Sequence, residues 1–574
     1  MMKILGLNAY HGDAAACLVV DGKLVAAAEE ERFNRKKHCA GFPKMAIGWC
    51  LKEGGLALGE LDHIGVSRRP FANWRAKIFS RLRLLGNSPG RLLERVRSSA
   101  RAQSFERDLA AAFPEQVSRL RARLHHVEHH LAHAASSFLV SPFDEAAILS
   151  VDGFGDYASL LMGHGKGNRM DVLRRVEFPH SLGLFYTAMT QWLGFPHYGD
   201  EGKVMALAAF AKPALMEQMR GILQSDPENL FRLNLDCFCH HTGGVEMSWN
   251  DGSPSVGRVF SPHLEELLGP ARMSGEELTP HHYAVAASMQ ARLEEVMFEI
   301  CRELHRLTGS PNLALSGGVA LNGVVNGMIS EKTPFRDLYI QPAAADSGTA
   351  LGVAFYIQHQ VLEEARSFHM ADAFVGPEYG EEECAAALRA AGIEFRREEE
   401  IEKAAARLLE AGKIVGWFQG RMEFGPRALG NRSILAHPGL SDMKAAINAR
   451  IKHREPFRPF APSVLAEAAE EYFGPRLPSP FMLMVYPFLK EKLGRVPAVA
   501  HVDGTGRLQT VSRESNPRYH KLIEEFRRLT GIPMLLNTSF NDSEPIVCTP
   551  QDAIACYRHS HMDVLVLGNL ITKG

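Results

Sequence analysis

Residues 3–30 read KILGLNAYHGDAAACLVVDGKLVAAAEE, and the architecture of the first half follows from how this stretch divides. Residues 3–8 are an apolar run suited to a buried strand, and His11-Gly12-Asp13 is a turn. Ala14 to Val20 is a second strand, Asp21-Gly22 a two-residue hairpin turn, and Lys23 to Glu30 a third strand. The same unit returns later. Ala146 to Val151 is a strand, Asp152 to Asp156 (DGFGD) a loop and Tyr157 to Gly163 a strand, followed by a Gly-Lys-Gly turn and a strand through Phe178. Strand, Gly/Asp loop, hairpin and strand, occurring twice, indicate an internal duplication.

Duplicated halves of this kind suggest an actin-like, sugar-kinase-like domain in which the Asp loops face each other across a ligand cleft. Ahead of the second copy lies HHLAHAASS, His129 to Ser137, an Ala-rich run that should be helical. His129 and His133 stand four residues apart, on one face and one turn apart, where two imidazoles can grip one ion. Five histidines fall within positions 125 to 133. A solvated histidine cluster at a helix end would explain the spacing alone. The acids Asp13, Asp152 and Asp346, each beside a glycine or serine-glycine turn at the end of an apolar run, favour a metal shell. A zinc protease is a poor explanation, because a Glu should follow the first His and here that residue is His130.

The chain has 574 residues and is 46% apolar, enough for at least two cored domains. Lys plus Arg at 64 against Asp plus Glu at 66 argues against a polyanionic partner. The opening residues are too interrupted by polar groups for a signal peptide, and no 18-residue apolar run follows, so no membrane span is expected. Nine scattered cysteines suit a reducing cytoplasm. Cys237-Phe-Cys239-His240-His241 resembles a metal cluster but lacks a second half at ligand spacing.

Residues 68–123 are arginine-rich with a helical pattern, which suits either a solvated helical face or an anionic surface or substrate. Pro280 to Thr308 is a long amphipathic helix. Leu313 to Asn322 reads strand, glycine turn, helix, and Gly317-Gly318 could present backbone N–H groups to a phosphate or carboxylate. Residues 364–380 lose periodicity and read as a domain junction, which places domains at 1–365 and 372–574. Beyond it, arginines recur in Gly/Pro loops. Arg427, Arg450, Lys452, Arg454, Arg458 and Arg507 stand near strand ends with Asn537 and Ser539, a pattern that favours a phosphate site.

Taken in order, these motifs resemble the O-carbamoyltransferase family of nodulation-factor and antibiotic biosynthesis over essentially the whole chain. The matches are LGLN (5–8), HGDA (11–14), AEEERFNRKKH (28–38), HHLAHAASS (129–137), SVDGFG (150–155), GKVMALAAF (202–210), SGGVALN (316–322), GPRALGNRS (425–433), RPFAPS (458–463) and LNTSFN (536–541). The resemblance implies an actin-like (ribonuclease-H-like duplicated) N-terminal domain joined to a threonylcarbamoyl-adenylate-synthase-like α/β C-terminal domain. It implies that ATP, with Mg2+, and carbamoyl phosphate give carbamoyl adenylate, whose carbamoyl group passes to a hydroxyl of a small-molecule or glycan acceptor. By motif position His129, His133, Asp152 and Asp346 would hold Fe2+ or another divalent metal. His11 and Lys37 would contact the adenylate, with His11 also a candidate base. Arg427, Arg458, Arg507, Asn537 and Ser539 would line the nucleotide site, with Asp13, Gly317, Gly318 and Lys452 as further candidates. Gly12 is a departure, since some members run His-Asp directly. The implied enzyme is cytoplasmic, needs no nucleic acid and is compatible with a homodimer. The competing readings are a tRNA threonylcarbamoyl-type modifier, disfavoured by the neutral charge, and a non-catalytic actin-like ATP-binding protein, which leaves the second domain unexplained.

Overall fold

The computed structural model describes residues 1–69, 72, 105–243, 247, 248, 252 and 254–573. The chain forms two compact units: residues 1–204, 211–321 and 330–370 make the first, and 205–210, 322–329 and 371–574 the second. Two short stretches from the first half therefore belong to the second unit. Within that unit, Asn326 Nδ2 donates to Leu483 O (2.9 Å), and a Cβ at Gly327 would lie 2.0 Å from Val485 O. His501 Nε2 likewise lies 2.8 Å from Ala206 O.

In the first unit β1 (Lys3–Asn8), β2 (Ala15–Val20) and β3 (Lys23–Glu29) form an antiparallel meander. The turn between β2 and β3 is Asp21-Gly22, with φ of 49° and 73°, the left-handed pair that a tight hairpin requires. β4 (His63–Val66) and β5 (Arg123–His126) then add in parallel, giving the order β3-β2-β1-β4-β5. The second sheet repeats this. β6 (Glu145–Gly155), β7 (Ala158–Lys166) and β8 (Arg169–Glu177) form the meander, and strands Asn312–Ser316 and Asp337–Ile340 add in parallel to β6. Two sheets of one topology make the first unit a duplicated, actin-like ribonuclease-H-type fold.

Two differences from the sequence reading concern the elements nearest the site. Asp152 does not lie in a loop: β6 runs on to Gly155, with a register shift between Val151 and Gly155. The bulge breaks the inward-outward alternation that ends the apolar run, which is why the sequence reads as a loop there. β5 was hidden because its residues, RLHH, are mostly polar and none is fully buried. Of the arginine-rich stretch, Phe105–Ala112 and Pro114–Val117 are helical, while residues 70, 71 and 73–104 lie outside the described ones.

The two sheets are joined through helices that approach very closely. A Cβ at Gly6 on β1 would lie 2.1 Å from Ala350 O, so the helix Gly348–Tyr356 rests directly on the first sheet. A Cβ at Gly352 on that helix would lie 1.8 Å from Ala132 O, so the helix His129–Phe138 rests on it in turn. Among the described residues, no helix is long and apolar enough to cross a membrane.

The second unit is built on a nine-stranded mixed sheet. Its centre is Val415–Phe418, Arg432–Ala436, Met534–Ser539 and Ala461–Leu465 in that spatial order, antiparallel to one another, with Thr505–Val511 parallel to the last. The helices Ile401–Glu410 and Pro517–Thr530 pack together and bury apolar faces, including Leu409, Leu522, Ile523 and Phe526. The overall class is mixed α/β.

At the parallel contact of β4 and β5, His63 Nδ1 and His125 Nε2 hydrogen-bond at 2.8 Å. Burial, then the His63 and Arg123 charges, bring His125 down to about 4, and burial also lowers His63. Both folded values lie below the unfolded value near 6.5, so the unfolded chain takes up more protons and stability falls from about pH 6.5 towards 4. A His125→Asn variant is expected to lose less of its melting temperature across that window than wild type. Parallel pH–melting curves would count against the pair.

Candidate metal centre and arginine cluster

The helix His129–Phe138 starts at Glu128, whose carboxylate accepts from Leu131 N at 2.9 Å. Both imidazoles at positions 129 and 133 are fully buried and point their Nε2 atoms the same way, 3.1 Å apart. The β6 bulge brings Asp152 Oδ2 within 3.2 Å of His129 Nε2 and 3.6 Å of His133 Nε2. Asp346, from the turn before helix Gly348–Tyr356, places Oδ1 3.5 Å from each imidazole nitrogen. An ion about 2.1 Å from four tetrahedral donors leaves those donors about 3.4 Å apart, so the four atoms fit one divalent cation. The Nδ1 atoms of both rings are buried without a partner, which leaves Nε2 to carry the polar interactions of each ring.

The electrostatics follow from this convergence. Burial works against a charged His129, but Asp152, Asp346 and Asp156 outweigh it and raise the imidazole to about 9. Burial likewise opposes ionised Asp152, yet hydrogen bonds from His129 and His133 hold it well below the usual carboxylate range. Asp346 is pushed up by burial and by the Asp152 charge. Two carboxylates and two imidazoles gathered in this way suit a shared divalent cation.

The glycines are explained here. Gly318 N donates to Asp152 Oδ1 at 2.9 Å, and a Cβ there would come within 2.8 Å of the same oxygen. Gly317 has φ of 91°, and its Cβ would lie 2.2 Å from Val151 O. Gly318 thus presents its N–H to the Asp152 carboxylate, the carboxylate alternative of the sequence reading. Gly155 leaves room for the His129 ring, since a Cβ would fall 1.9 Å from Cδ2. A Gly155→Ala variant is therefore expected to displace His129 and weaken metal binding by about 10–100-fold, as supporting residues typically do. Competition with a chromophoric chelator measures this, and unchanged affinity would mean the ring has other room.

Of the other candidates in this unit, His11 lies against the centre, its ring centroid 4.8 Å from that of His129. Burial and the His129 and Arg68 charges push it well below the usual imidazole range, and its Nε2 is buried without a partner. It is a neutral hydrogen-bonding group and a weak base. Lys37 is exposed. Asp13 Oδ1 instead accepts from His38 Nδ1 at 2.8 Å. Gly12 is needed because a Cβ would meet Tyr198 Oη at 2.6 Å. The Cys237–His241 run does not converge: Cys239 Sγ contacts Arg258 O, and His240 Nε2 lies 2.8 Å from Pro179 O. Among the described residues, the only other metal-competent group is Asp13, Glu31 and His38.

In the second unit the loop between Val415–Phe418 and Arg432–Ala436 is organised by a residue the sequence reading missed. Glu423 Oε1 accepts from the backbone N–H groups of Leu429, Asn431 and Arg432 at 2.7, 2.8 and 3.2 Å. Nothing in the motif marks Glu423 as such a hub. Asn537 is buried and donates Nδ2 to Ala428 O, Ser463 Oγ and Gln509 Oε1, so it anchors the same loop. Lys452 Nζ is also committed, donating to Ser539 O and to Asn541 O and Oδ1 at 2.7, 2.8 and 2.7 Å. A fourth acceptor, Ser539 Oγ, lies at 3.3 Å.

Arg427, Arg454, Arg458 and Arg507 converge on this framework. Burial and then Arg458 lower Arg427 to about 10 and Arg454 to about 9, while burial, Arg427, Arg454 and Arg458 together take Arg507 well below its usual range. The Nε atoms of Arg427 and Arg507 are buried with no partner. Like charges held together, two of them with unpartnered Nε donors, carry a mutual repulsion that an anion would offset. Arg432 in the same loop is a contrast. It is fully buried over the Phe418 ring at 3.7 Å, and although its Nε is likewise unpartnered, its Nη atoms donate to the Gln419, Gly420, Asn431 and Pro377 carbonyls.

Comparison with known proteins adds to these observations. The family models described as Carbamoyltransferase N-terminus and Carbamoyltransferase C-terminus match residues 3–355 and 406–573. Nodulation protein NolNO of Sinorhizobium fredii is 37% identical over 585 residues, covering 99% of this chain and 79% of that protein. Nodulation protein NolO of Bradyrhizobium diazoefficiens is 38% identical over 462 residues, covering 78% of this chain and 79% of that protein. An uncharacterized protein of Synechocystis sp. is 38% identical over 606 residues, covering all of this chain and 96% of its own.

Proposed function

Given that the chain belongs to the carbamoyltransferase family and is a carbamoyltransferase enzyme, we propose that it is an ATP-dependent O-carbamoyltransferase working through carbamoyl adenylate. The observation that carries this reading is the set of four guanidiniums in the second unit, two with buried, unpartnered Nε atoms. ATP, delivered with Mg2+, and carbamoyl phosphate are both anions, and their reacting centres repel unless cations screen them. Water first releases inorganic phosphate from carbamoyl phosphate and leaves carbamate. Arg427, Arg458 and Arg507, joined by Arg454, then screen and stabilise the charge that develops as the carbamate oxygen attacks the α-phosphorus and pyrophosphate leaves. Asn537 and Glu423 hold the loop that presents Arg427, and Lys452 holds Ser539 in place beside it.

The first unit is then the transfer site. His129, His133, Asp152 and Asp346 would hold a divalent ion, iron by family resemblance, which would supply Lewis-acid polarisation to the carbamoyl donor. His11, neutral and unpartnered at Nε2, offers a hydrogen bond to that donor, and Lys37 supplies charge near its phosphate. The acceptor is a hydroxyl of a small molecule or glycan, a reading drawn from the nodulation proteins among the relatives. The reaction takes place in the cytoplasm, where ATP and carbamoyl phosphate are made.

Carbamoyl phosphate-dependent exchange of labelled pyrophosphate into ATP tests the proposal directly. Exchange that needs carbamoyl phosphate, with AMP as the nucleotide product, is the expected result. ADP as the product, or exchange without carbamoyl phosphate, would rule out the adenylate route.

A further inference from the structure

Asp13 and His38 are two non-glycine residues in the left-handed backbone region, both with φ of 54°. Such conformations cost free energy and persist where the surroundings impose them, commonly at functional sites. Here they place an Asp carboxylate oxygen 2.8 Å from a His Nδ1, both side chains partly buried at 18% and 28% exposure. The backbone of His38 is pinned as well, its N–H donating to Glu31 Oε2 at 2.6 Å. Among the described residues the other ring nitrogen, Nε2, has no hydrogen-bond partner. A glycine packs against that edge of the ring, where a Cβ at position 199 would lie 2.6 Å from Nε2.

The dyad borders the metal centre through one residue. Tyr198 packs edge-on against His38, with ring centroids 5.2 Å apart, and its hydroxyl is pushed well up by burial and then by the carboxylates of Asp13, Asp346 and Asp152. The phenol therefore stays protonated and feels both clusters. The groups facing His38 are Asp13, Glu31, Lys37, Tyr198 and Glu201. Burial disfavours the imidazolium, but Asp13 and Glu31 outweigh it and raise His38 above its ordinary value. A carboxylate on Nδ1 with no hydrogen-bond partner at Nε2 is the arrangement that makes an imidazole a general base.

We propose that His38, oriented by Asp13, is the base that takes the proton from the acceptor hydroxyl during carbamoyl transfer. The proposal rests on the reading that the first unit consumes carbamoyl adenylate. As the acceptor oxygen bonds to the carbamoyl carbon, its proton passes to His38 Nε2. The bond from that carbon to the adenylate phosphate oxygen breaks, and AMP leaves with the electron pair. The imidazolium, held by Asp13, then returns its proton to solvent, leaving the O-carbamoyl product and AMP. His38 is the catalytic residue in this step and Asp13 a positioning residue.

The test uses the full-length, metal-loaded enzyme with carbamoyl phosphate and ATP, and with water, glycerol and methyl glucoside as acceptors. AMP, ammonia and carbamoylated alcohol report transfer, and pyrophosphate exchange reports activation. His38→Asn is expected to slow transfer by about 100-fold or more, within the range for a lost general base, with exchange and metal content unchanged. Asp13→Asn should lose less rate and move the acid limb of the kcat profile to lower pH, because the carboxylate no longer supports the imidazolium. Wild-type transfer and an unmoved acid limb in the two variants would overturn the proposal. So would a second bound metal equivalent that vanishes with His38, which would make Asp13, Glu31 and His38 a cation site. Loss of exchange together with transfer and a lowered melting temperature would make His38 structural. A wild-type enzyme that shows no carbamoyl phosphate-dependent exchange fails at the earlier step, and that result falls on the adenylate reading itself.

Discussion

Arg427→Ala is expected to cut carbamoyl phosphate-dependent pyrophosphate release by two orders of magnitude or more. A charge-assisted hydrogen bond to an ordinary anion contributes about 1.5–3 kcal/mol, and donors aimed at charge that develops during reaction reach the upper end or beyond. Arg427 is held for such a task. Glu423 and Asn537 fix its loop, burial and Arg458 depress its basicity, and its Nε has no partner. The mutual repulsion of Arg427, Arg454, Arg458 and Arg507 is a cost to the unliganded protein that a bound polyphosphate offsets. Removing Arg427 should accordingly raise melting temperature slightly or leave it unchanged while release collapses. Arg432→Ala makes the contrasting case, because that side chain joins four carbonyls to an aromatic face and its loss should unfold the loop. Release near the wild-type rate in a folded Arg427→Ala protein would place nucleotide chemistry elsewhere in the chain.

Why some of this was legible in the sequence and some was not has a physical answer. The duplicated meander could be read because each copy joins apolar runs by tight Gly-containing turns, and both signals are local. The metal helix could be read because an i, i+4 pair is also local. Asp152 and Asp346 were picked out by the glycine or serine-glycine turn that follows each, and the structure brings both to the imidazoles. Asp152 was nonetheless assigned to a loop, since a bulge interrupts alternation without ending the strand. Gly317 and Gly318 were read as an anion-facing turn, a motif that cannot tell a free anion from an Asp carboxylate of the same chain. His38 stayed hidden behind Lys37, because its importance lies in a contact with Asp13, which is 25 residues away. The arginines were conspicuous in their Gly/Pro loops. That Arg427, Arg454, Arg458 and Arg507 gather while Arg432 turns into the core depends on strand pairing, which no single loop records. Most of the arginine-rich stretch 68–123, read as a solvated face or a surface for an anionic substrate, lies outside the described residues.

His133→Ala should produce the opposite pattern to Arg427→Ala. The substitution removes one of four donors spaced for a single ion, and the remaining three cannot hold it as tightly. Losing the polarisation such an ion supplies costs several kcal/mol at the transition state, so transfer to any acceptor should fall by several orders of magnitude. His133 lies in the first unit, and none of Arg427, Arg458 and Arg507 is touched, so carbamoyl phosphate-dependent pyrophosphate exchange should continue at the wild-type rate. Carbamoyl adenylate is a mixed anhydride. In the His133→Ala enzyme it should therefore accumulate or hydrolyse, releasing AMP without carbamoylated product. Supplying carbamoyl adenylate directly is expected to restore product formation to Arg427→Ala and not to His133→Ala. Following AMP, pyrophosphate and product together in both variants makes each pattern a control for the other. A folded His133→Ala protein that makes no adenylate would show that the metal centre also serves activation, and the assignment of one half-reaction to each unit would fall.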